Sequence, residues 1–275
     1  MLKAFILAAV AGAGIAGAAQ AAPSVERGDY LVNTIAACGN CHTPLGPTGP
    51  VMDQALGGRL VEQNEQYTAI APNITPAGRV KDWSDAELMK AIREGIRPDG
   101  TVIGIPMPFE VYKGLSDTDL ASIVMYLRTV PAVQNDPGKS EYKIPLPPAW
   151  GPPITSVADV PEGVTVEYGE YLAGPVGHCI VCHTTFGPMG PMFDTHLGQG
   201  GVEFPGPWGV AVSANITPMG LSKYTDEQVA AIITTGKRPD GSAMNPPMPY
   251  GNYAHMKPDD VQAIVKYLRS LPPKG

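Results

Sequence analysis

The chain has 275 residues, of which 44% are hydrophobic, and a formal net charge of −7. This length is sufficient for two small domains that each bury a core. Aromatic residues make up only 7%, whereas 32 glycines and 30 prolines are present, which is typical of short helices joined by long loops. The acidic balance and the lack of a basic stripe argue against nucleic acid as a partner.

The first 21 residues have the pattern of a secretory signal peptide. Lys3 precedes an Ala- and Gly-rich apolar stretch, 4–19, and an A-x-A cleavage site ends at Ala21. An uncleaved membrane anchor is the alternative, but a span needs about 20 strongly apolar residues, and this stretch is shorter and rich in glycine. We therefore predict cleavage near Ala21, a periplasmic location and contact with the membrane only through a partner.

Two five-residue motifs organise the rest of the chain. Cys38–His42 and Cys179–His183 both read C-x-x-C-H, the attachment signature of a c-type haem, and together they contain all four cysteines. Residues three and four apart share one face of a helical turn, so two thiols can reach two vinyl groups while the imidazole meets the iron. The motifs predict two covalently bound haem c groups. The predicted attachment residues are Cys38, Cys41, Cys179 and Cys182, and the predicted proximal iron ligands are His42 and His183.

A zinc site or a thioredoxin-like redox pair is the alternative explanation of a C-x-x-C sequence. A four-cysteine zinc site usually has its two pairs about 15–20 residues apart. Here the pairs lie 141 residues apart, and a histidine follows each one. The spacing therefore favours haem.

Residues 24–134 (repeat one) and 166–275 (repeat two) form an internal repeat with an offset of 141. The matched elements include Arg97–Gly100 with Arg238–Gly241 and Tyr126–Arg128 with Tyr267–Arg269. The offset is far longer than a solenoid unit, so it indicates duplication of a whole domain. We predict domains at 22–134 and 166–275, joined by a proline-rich connector, 135–165, that is extended and stiff.

Each repeat predicts three main helices and no strand of useful length. The expected ranges are 25–37, 84–96 and 117–129, with 166–178, 225–236 and 258–270 in repeat two. The third helices carry an apolar i, i+3, i+4, i+7 stripe, and Ser84 and Thr225 begin capping-box patterns. The predicted fold class is all-α.

The second axial ligand should recur at the common offset, and Met107 and Met248 do so. Prolines on both sides stiffen each loop and orient the thioether. Met52 and Met192 are rivals that miss the offset by one, and Met244 is a rival in repeat two only.

Histidine is a poor alternative for the second axial ligand. Three histidines, His178, His196 and His255, have no counterparts in repeat one, which contains no histidine besides His42. A bis-histidine haem within repeat one is therefore excluded by composition.

Several polar side chains are candidates for hydrogen bonds to the haem propionates, with local packing or capping as the equally open alternative. They are Tyr67 with Trp208, Trp83 with Tyr224, Asn73 with Asn215, and Arg59 in repeat one alone.

These motifs resemble the class I cytochrome c family across both repeats. The order Asn-Ile-Thr-Pro, Trp83–Asp85, Arg97–Gly100 and Met107-Pro108 is similar to the cytochrome c subunits of periplasmic alcohol, gluconate and aldehyde dehydrogenases. The resemblance implies two tandem class I cytochrome c-like domains, each a small helical bundle around one haem, whose first and last helices cross at Gly28 and Gly169. It also implies a periplasmic dehydrogenase as electron donor and a cytochrome or oxidase as acceptor.

Electron transfer is the function that this pattern favours. With histidine and methionine on each iron, no coordination position remains for a substrate. The alternative is a haem enzyme, such as a dihaem peroxidase or a thiosulfate-oxidising cytochrome. Either would be expected to have non-equivalent ligands in the two domains, whereas the repeats here are closely matched.

Overall fold

The computed structural model describes residues 22–274, apart from 48, 188 and 189. The predicted signal peptide, 1–21, lies outside the described residues. Across this described part, no helix combines the length and the apolar character needed to span a bilayer.

The helical part of repeat one consists of α-helices, a π-helical turn and a 3₁₀ helix, Met52–Gln54. The helices are α1 (Val25–Tyr30), α2 (Gly39–His42), α3 (Asp85–Glu94), α4 (Phe109–Tyr112) and α5 (Asp117–Thr129). The predicted first helix, 25–37, is wrong at its end, because α1 passes into the π-helical turn Leu31–Ile35 and positive φ at Ala37 then breaks the helix. The predicted third helix coincides with α5, where Ser116 caps the N-terminus by accepting from the Asp119 N–H.

Repeat two has the same order of helices, except that a short α-helix, Phe193–His196, stands where repeat one has the 3₁₀ helix Met52–Gln54. The helices are α6 (Val166–Tyr171), α7 (Cys179–Cys182), α8 (Phe193–His196), α9 (Asp226–Thr235), α10 (Tyr250–Tyr253) and α11 (Pro258–Ser270), with a π-helical turn at Leu172–Val176. The capping boxes predicted at Ser84 and Thr225 are both present. Pro258 occupies the first turn of α11, as expected for a residue without an N–H.

The expectation of an all-α fold is too strict, because the helix-rich chain also contains small antiparallel sheets. The strands are β1 (Leu45–Gly46), β2 (Gly49–Pro50), β3 (Arg59–Gln63), β4 (Tyr67–Ala71), β5 (Glu141–Tyr142), β6 (Phe186–Gly187), β7 (Gly190–Pro191), β8 (Glu203–Gly206) and β9 (Gly209–Val212). The sheets are β1–β2, β3–β4–β5, β6–β7 and β8–β9. The prediction of no strand of useful length is wrong for β3 and β4, which have five residues each. A shift of register between Leu60 and Glu62 interrupts the alternation there, and the two-residue strands are too short to show one.

The proline-rich connector packs against repeat one. Its strand β5 pairs with β4, with Tyr142 opposite Tyr67. Further along, the Trp150 ring stacks on Phe109 at a centroid distance of 5.9 Å, and its Nε1–H donates to the Ile103 carbonyl over 2.8 Å. The connector therefore covers the loop that leads to Met107.

The first and last helices of each repeat are in close contact at a glycine. A Cβ atom built on Gly28 would lie 1.9 Å from the Ser122 carbonyl oxygen, and one on Gly169 would lie 1.9 Å from that of Ala263. Ser122 and Ala263 are equivalent positions on α5 and α11. The helix crossings predicted at Gly28 and Gly169 are therefore present, and only glycine allows so close an approach.

The buried apolar side chains form one continuous cluster rather than one core per repeat. Leu31 and Ile35 of repeat one belong to the same cluster as Leu172 and Val176 of repeat two, and all four are almost inaccessible to solvent. The π-helical turns of the two repeats thus meet in the middle of the molecule.

Candidate haem sites

Each C-x-x-C-H motif follows a sharp change in backbone direction. Ala37 and His178, the residues just before the first cysteines, have φ values of 45° and 43°, which are costly for residues other than glycine. In repeat one, the Cys41 and His42 N–H groups then both donate to the Cys38 carbonyl, so the motif is closed as one helical turn. This local fold brings both thiols and the imidazole of a motif to one side of the turn.

The two motif histidines are held in the tautomer that a haem ligand needs. His42 Nδ1 lies 2.8 Å from the Pro72 carbonyl oxygen, and His183 Nδ1 lies 2.8 Å from that of Ala214. A carbonyl oxygen only accepts, so Nδ1 carries the proton and Nε2 presents a free lone pair. Burial lowers the pKa of both imidazoles, which also favours the neutral form.

The four thiols lie in surroundings that keep them uncharged. Burial raises the pKa of Cys38 and Cys179 to about 12 and that of Cys182 to about 11, and it also raises the pKa of Cys41. Zinc binding and thiol redox chemistry both use the thiolate. A thioether to a haem vinyl group carries no charge, so these surroundings fit the attachment of haem.

In repeat two the structure brings three of the four predicted site residues to one apolar cavity, and Cys182 is not among the residues that line it. Cys179, His183 and Met248 all line it. The remaining lining residues are carbon-rich: Ile35, Ile216, Ile233, Tyr253, Met256, Ile264 and Leu268. A neutral nitrogen donor and a thioether within an apolar wall are the donor set that a His/Met-ligated haem requires, so the residues fit the group.

Met107 has the equivalent position in repeat one. Like Met248, it is partly buried and packs against the core cluster. Both methionines follow the same sequence of elements and precede short helices, α4 and α10. Cys38 packs against the same cluster as Met107.

The rival methionines are less well placed. Met52 is 71% exposed, and Met192 packs against its own hairpin, since its Sδ would lie 2.9 Å from a Cβ atom built on Gly187. Met244 uses its backbone carbonyl to accept from the Tyr250 hydroxyl. Neither Met192 nor Met244 lines the cavity of repeat two.

Sequence reasoning did not assign Met256, Tyr253 or Ile35 to the site, although all three line the cavity. Met256 aligns with Leu115, and Tyr253 aligns with Tyr112, so apolar character repeated at the common offset was an available signal. Ile35 belongs to the other repeat, and no pattern within one repeat could have indicated its position.

The candidate propionate contacts differ in whether the protein already uses their hydrogen-bonding groups. Asn73 and Asn215 each bind the segment that follows the last helix of their repeat, because Asn73 Nδ2 donates to the Val133 carbonyl and Asn215 Nδ2 donates to that of Lys274. Their side chains thus act structurally. Arg59 differs, since its Nε is buried without a hydrogen-bond partner, and its charge contributes to the lowered pKa of His42. An unpartnered guanidinium nitrogen beside the first motif fits a haem carboxylate.

The other predicted contacts remain expectations. Trp83 and Tyr224 pack partly buried against the core cluster. Tyr67 packs on Tyr142 at a ring-centroid distance of 5.7 Å, and Trp208 is 39% exposed.

No family model matches the chain. The fructose dehydrogenase cytochrome subunit of Gluconobacter japonicus is 28% identical to it over 92% of this chain and 54% of the relative. The alcohol dehydrogenase (quinone) cytochrome c subunit of Gluconobacter oxydans is 28% identical over 91% of this chain and 56% of the relative. A diheme cytochrome c-type of Cereibacter sphaeroides is 26% identical over 86% of this chain and 82% of the relative.

The predicted resemblance to dehydrogenase cytochrome c subunits is confirmed. These relatives support electron transfer as the class of function and haem c as the cofactor. The chain spans about half the length of the fructose and alcohol dehydrogenase subunits that it matches, whereas it covers 82% of the diheme cytochrome.

Proposed function

We propose that the protein is a periplasmic dihaem c-type cytochrome that carries electrons from a dehydrogenase to a respiratory acceptor, such as a cytochrome or an oxidase. The observation that carries the proposal is the cavity of repeat two, where Cys179, His183 and Met248 line a single apolar wall. The same residue types recur at the common offset in repeat one.

In this proposal each motif holds one haem. Cys38 and Cys41 would attach the first through thioethers, and Cys179 and Cys182 the second. His42 and Met107 would ligate one iron, and His183 and Met248 would ligate the other. When bound there, haem c supplies an iron that exchanges one electron at a time between two oxidation states.

The residues around each site would set the properties of that exchange. The hydrogen bond from Nδ1 to a backbone carbonyl fixes the orientation of the imidazole and raises its basicity as a ligand. The thioether of methionine favours the reduced state relative to a second histidine. Apolar lining residues, such as Ile216 and Leu268, exclude water from the second site. Arg59 would neutralise a propionate at the first.

The location and partners follow from the same proposal. We infer export by the signal peptide 1–21 and folding as two cytochrome domains, 22–134 and 166–275, with the connector 135–165 between them. The donor is proposed to be a periplasmic dehydrogenase because two of the relatives named above are cytochrome subunits of dehydrogenases.

An anaerobic redox titration of the purified holoprotein tests the function. The carrier predicts two one-electron steps per chain and no fast reaction of the reduced form with hydrogen peroxide. A dihaem peroxidase would instead oxidise its haems within the mixing time and turn over with added donor. Rapid turnover with peroxide, or fewer than two haems per chain, contradicts the proposal.

A further inference from the structure

The two repeats exchange an equivalent pair of hydrogen bonds across their contact. The Tyr30 hydroxyl of repeat one donates to the Asp260 carboxylate of repeat two over 2.6 Å. The Tyr171 hydroxyl of repeat two donates to the Asp119 carboxylate of repeat one over 2.7 Å. Tyr30 aligns with Tyr171, and Asp119 aligns with Asp260, so each bond is the counterpart of the other.

The backbone completes the same symmetric arrangement. Each tyrosine oxygen also accepts from a backbone N–H at the start of the opposite third helix, from Lys257 over 2.9 Å and from Ser116 over 3.2 Å. Lys257 and Ser116 are equivalent positions as well. An interface in which residue i contacts j and the equivalent j contacts i is isologous, as in a two-fold symmetric dimer.

This symmetric contact puts Ile35 of repeat one into the site of repeat two. Ile35 is 1% exposed, and it is the one repeat-one residue among those that line the cavity with Cys179 and His183. Ile35 can lie this close to Cys179 because residue 177 is a glycine. A Cβ atom built on Gly177 would crowd the space between them, at 3.2 Å from Ile35 Cγ2 and 3.4 Å from Cys179 Sγ.

We propose that the second haem site is a composite of both repeats, in which Ile35 closes the wall beside Cys179 and the paired tyrosine–aspartate contacts hold it there. Ile35 is then a positioning residue that keeps water from the second haem. This inference rests on the proposed function, since it assigns a wall residue to a haem site.

A substitution that shortens Ile35 should change the properties of the second haem only. Shortening Ile35 to alanine removes three carbons from the wall and opens a path for water beside Cys179. A more polar surrounding stabilises the oxidised, more highly charged site, so the midpoint potential of the second haem should fall. The first haem should keep its potential.

The test uses holoprotein that carries Met107→His, so that only the second haem retains a methionine ligand. In this background we compare Ile35→Ala with Ile123→Ala. Ile123 is also buried, with 4% exposure against 1% for Ile35, but it does not line the cavity. We expect Ile35→Ala to lower the midpoint potential of the second haem and to weaken the near-infrared sulfur-to-iron band of that haem. Ile123→Ala should leave the potential and the band of the second haem unchanged. Ile264→Ala, in the cavity wall of repeat two, should have the same effect as Ile35→Ala.

Two controls keep the outcomes distinct. If Met107→His alone leaves the sulfur-to-iron bands of two haems intact, the proposed ligand set is wrong rather than the composite wall. If Ile35→Ala fails to fold, Ile35→Val should give a smaller shift in the same direction. Equal effects of Ile35→Ala and Ile123→Ala on the second haem would overturn the inference.

A second measurement follows the contact between the repeats directly. A protease site placed in the exposed connector segment 151–153 allows the holoprotein to be cut between the repeats. The halves should elute together on size exclusion, and the double change Tyr30→Phe with Tyr171→Phe should weaken their association. Halves that separate at once after cleavage, without any further substitution, would contradict a fixed composite site.

Discussion

Gly28 and Gly169 lie at helix crossings that leave no room for a methyl group. In both, an added Cβ atom would come within 1.9 Å of a carbonyl oxygen on the last helix of the repeat. A carbon–oxygen contact needs about 3.3 Å, so the helices would have to separate by roughly 1.4 Å. Overpacking costs about 1–3 kcal/mol when side chains can adjust. The obstacle here is helix backbone, so we expect each Gly→Ala change to cost about 3 kcal/mol or more.

Urea denaturation of the holoprotein measures this cost. Gly251→Ala is the matched control, because an added Cβ atom there meets nothing within 4 Å, and alanine is favoured over glycine in a helix. We expect lower midpoints for Gly28→Ala and Gly169→Ala, of similar size, and an unchanged or higher midpoint for the control. A loss below about 1 kcal/mol at either crossing would refute the close helix contact.

Three further predictions concern the connector, pH and the first site. Trp150→Ala should destabilise repeat one by about 2 kcal/mol, since the Trp150 ring stacks on Phe109. Trp208 is more exposed, so Trp208→Ala should change the stability little. The urea midpoints of both variants test this prediction, and equal effects would contradict it. Burial acts to raise the pKa of Asp117, but hydrogen bonds from Ser156, Arg93 and the Val157 N–H outweigh it and lower that pKa. The resulting stabilisation is present above the unfolded-state pKa and is lost as pH falls through the lower folded-state pKa. The stability difference between wild type and Asp117→Asn should therefore shrink in acid, and a difference that grows on acidification would be contrary to this. Arg59→Leu should lower the midpoint potential of the first haem only, because a cation beside the first motif favours the reduced state of its haem. Redox titration measures the two potentials, and a shift in the second haem instead of the first would exclude the role assigned to Arg59.

The helices that the sequence predicted best are those specified by neighbouring residues. α5 and α11 have both an apolar stripe and a local signal at the N-terminus, Ser116 or Pro258, so their bounds could be predicted. The motif residues were also predictable, because the spacing of Cys38, Cys41 and His42 is itself the signal.

The features that the sequence did not predict depend on distant partners. β4 and β5 pair across about 70 residues, and Trp150 finds its partner in Phe109, so no local pattern indicates either contact. Asn73 was a candidate for the haem, but its amide binds the chain that leaves α5. The entry of Ile35 into the other repeat's cavity depends on how the repeats meet, which periodicity within one repeat does not encode.

The near-infrared sulfur-to-iron band of the oxidised holoprotein tests the central claim most directly, because it reports methionine ligation at each iron. The account predicts a band that corresponds to two haems per chain. Met107→Leu and Met248→Leu should each remove about half of it, and the double variant should remove all of it. A band that survives in the double variant, or that is lost on Met52→Leu or Met192→Leu instead, would contradict the His/Met sites.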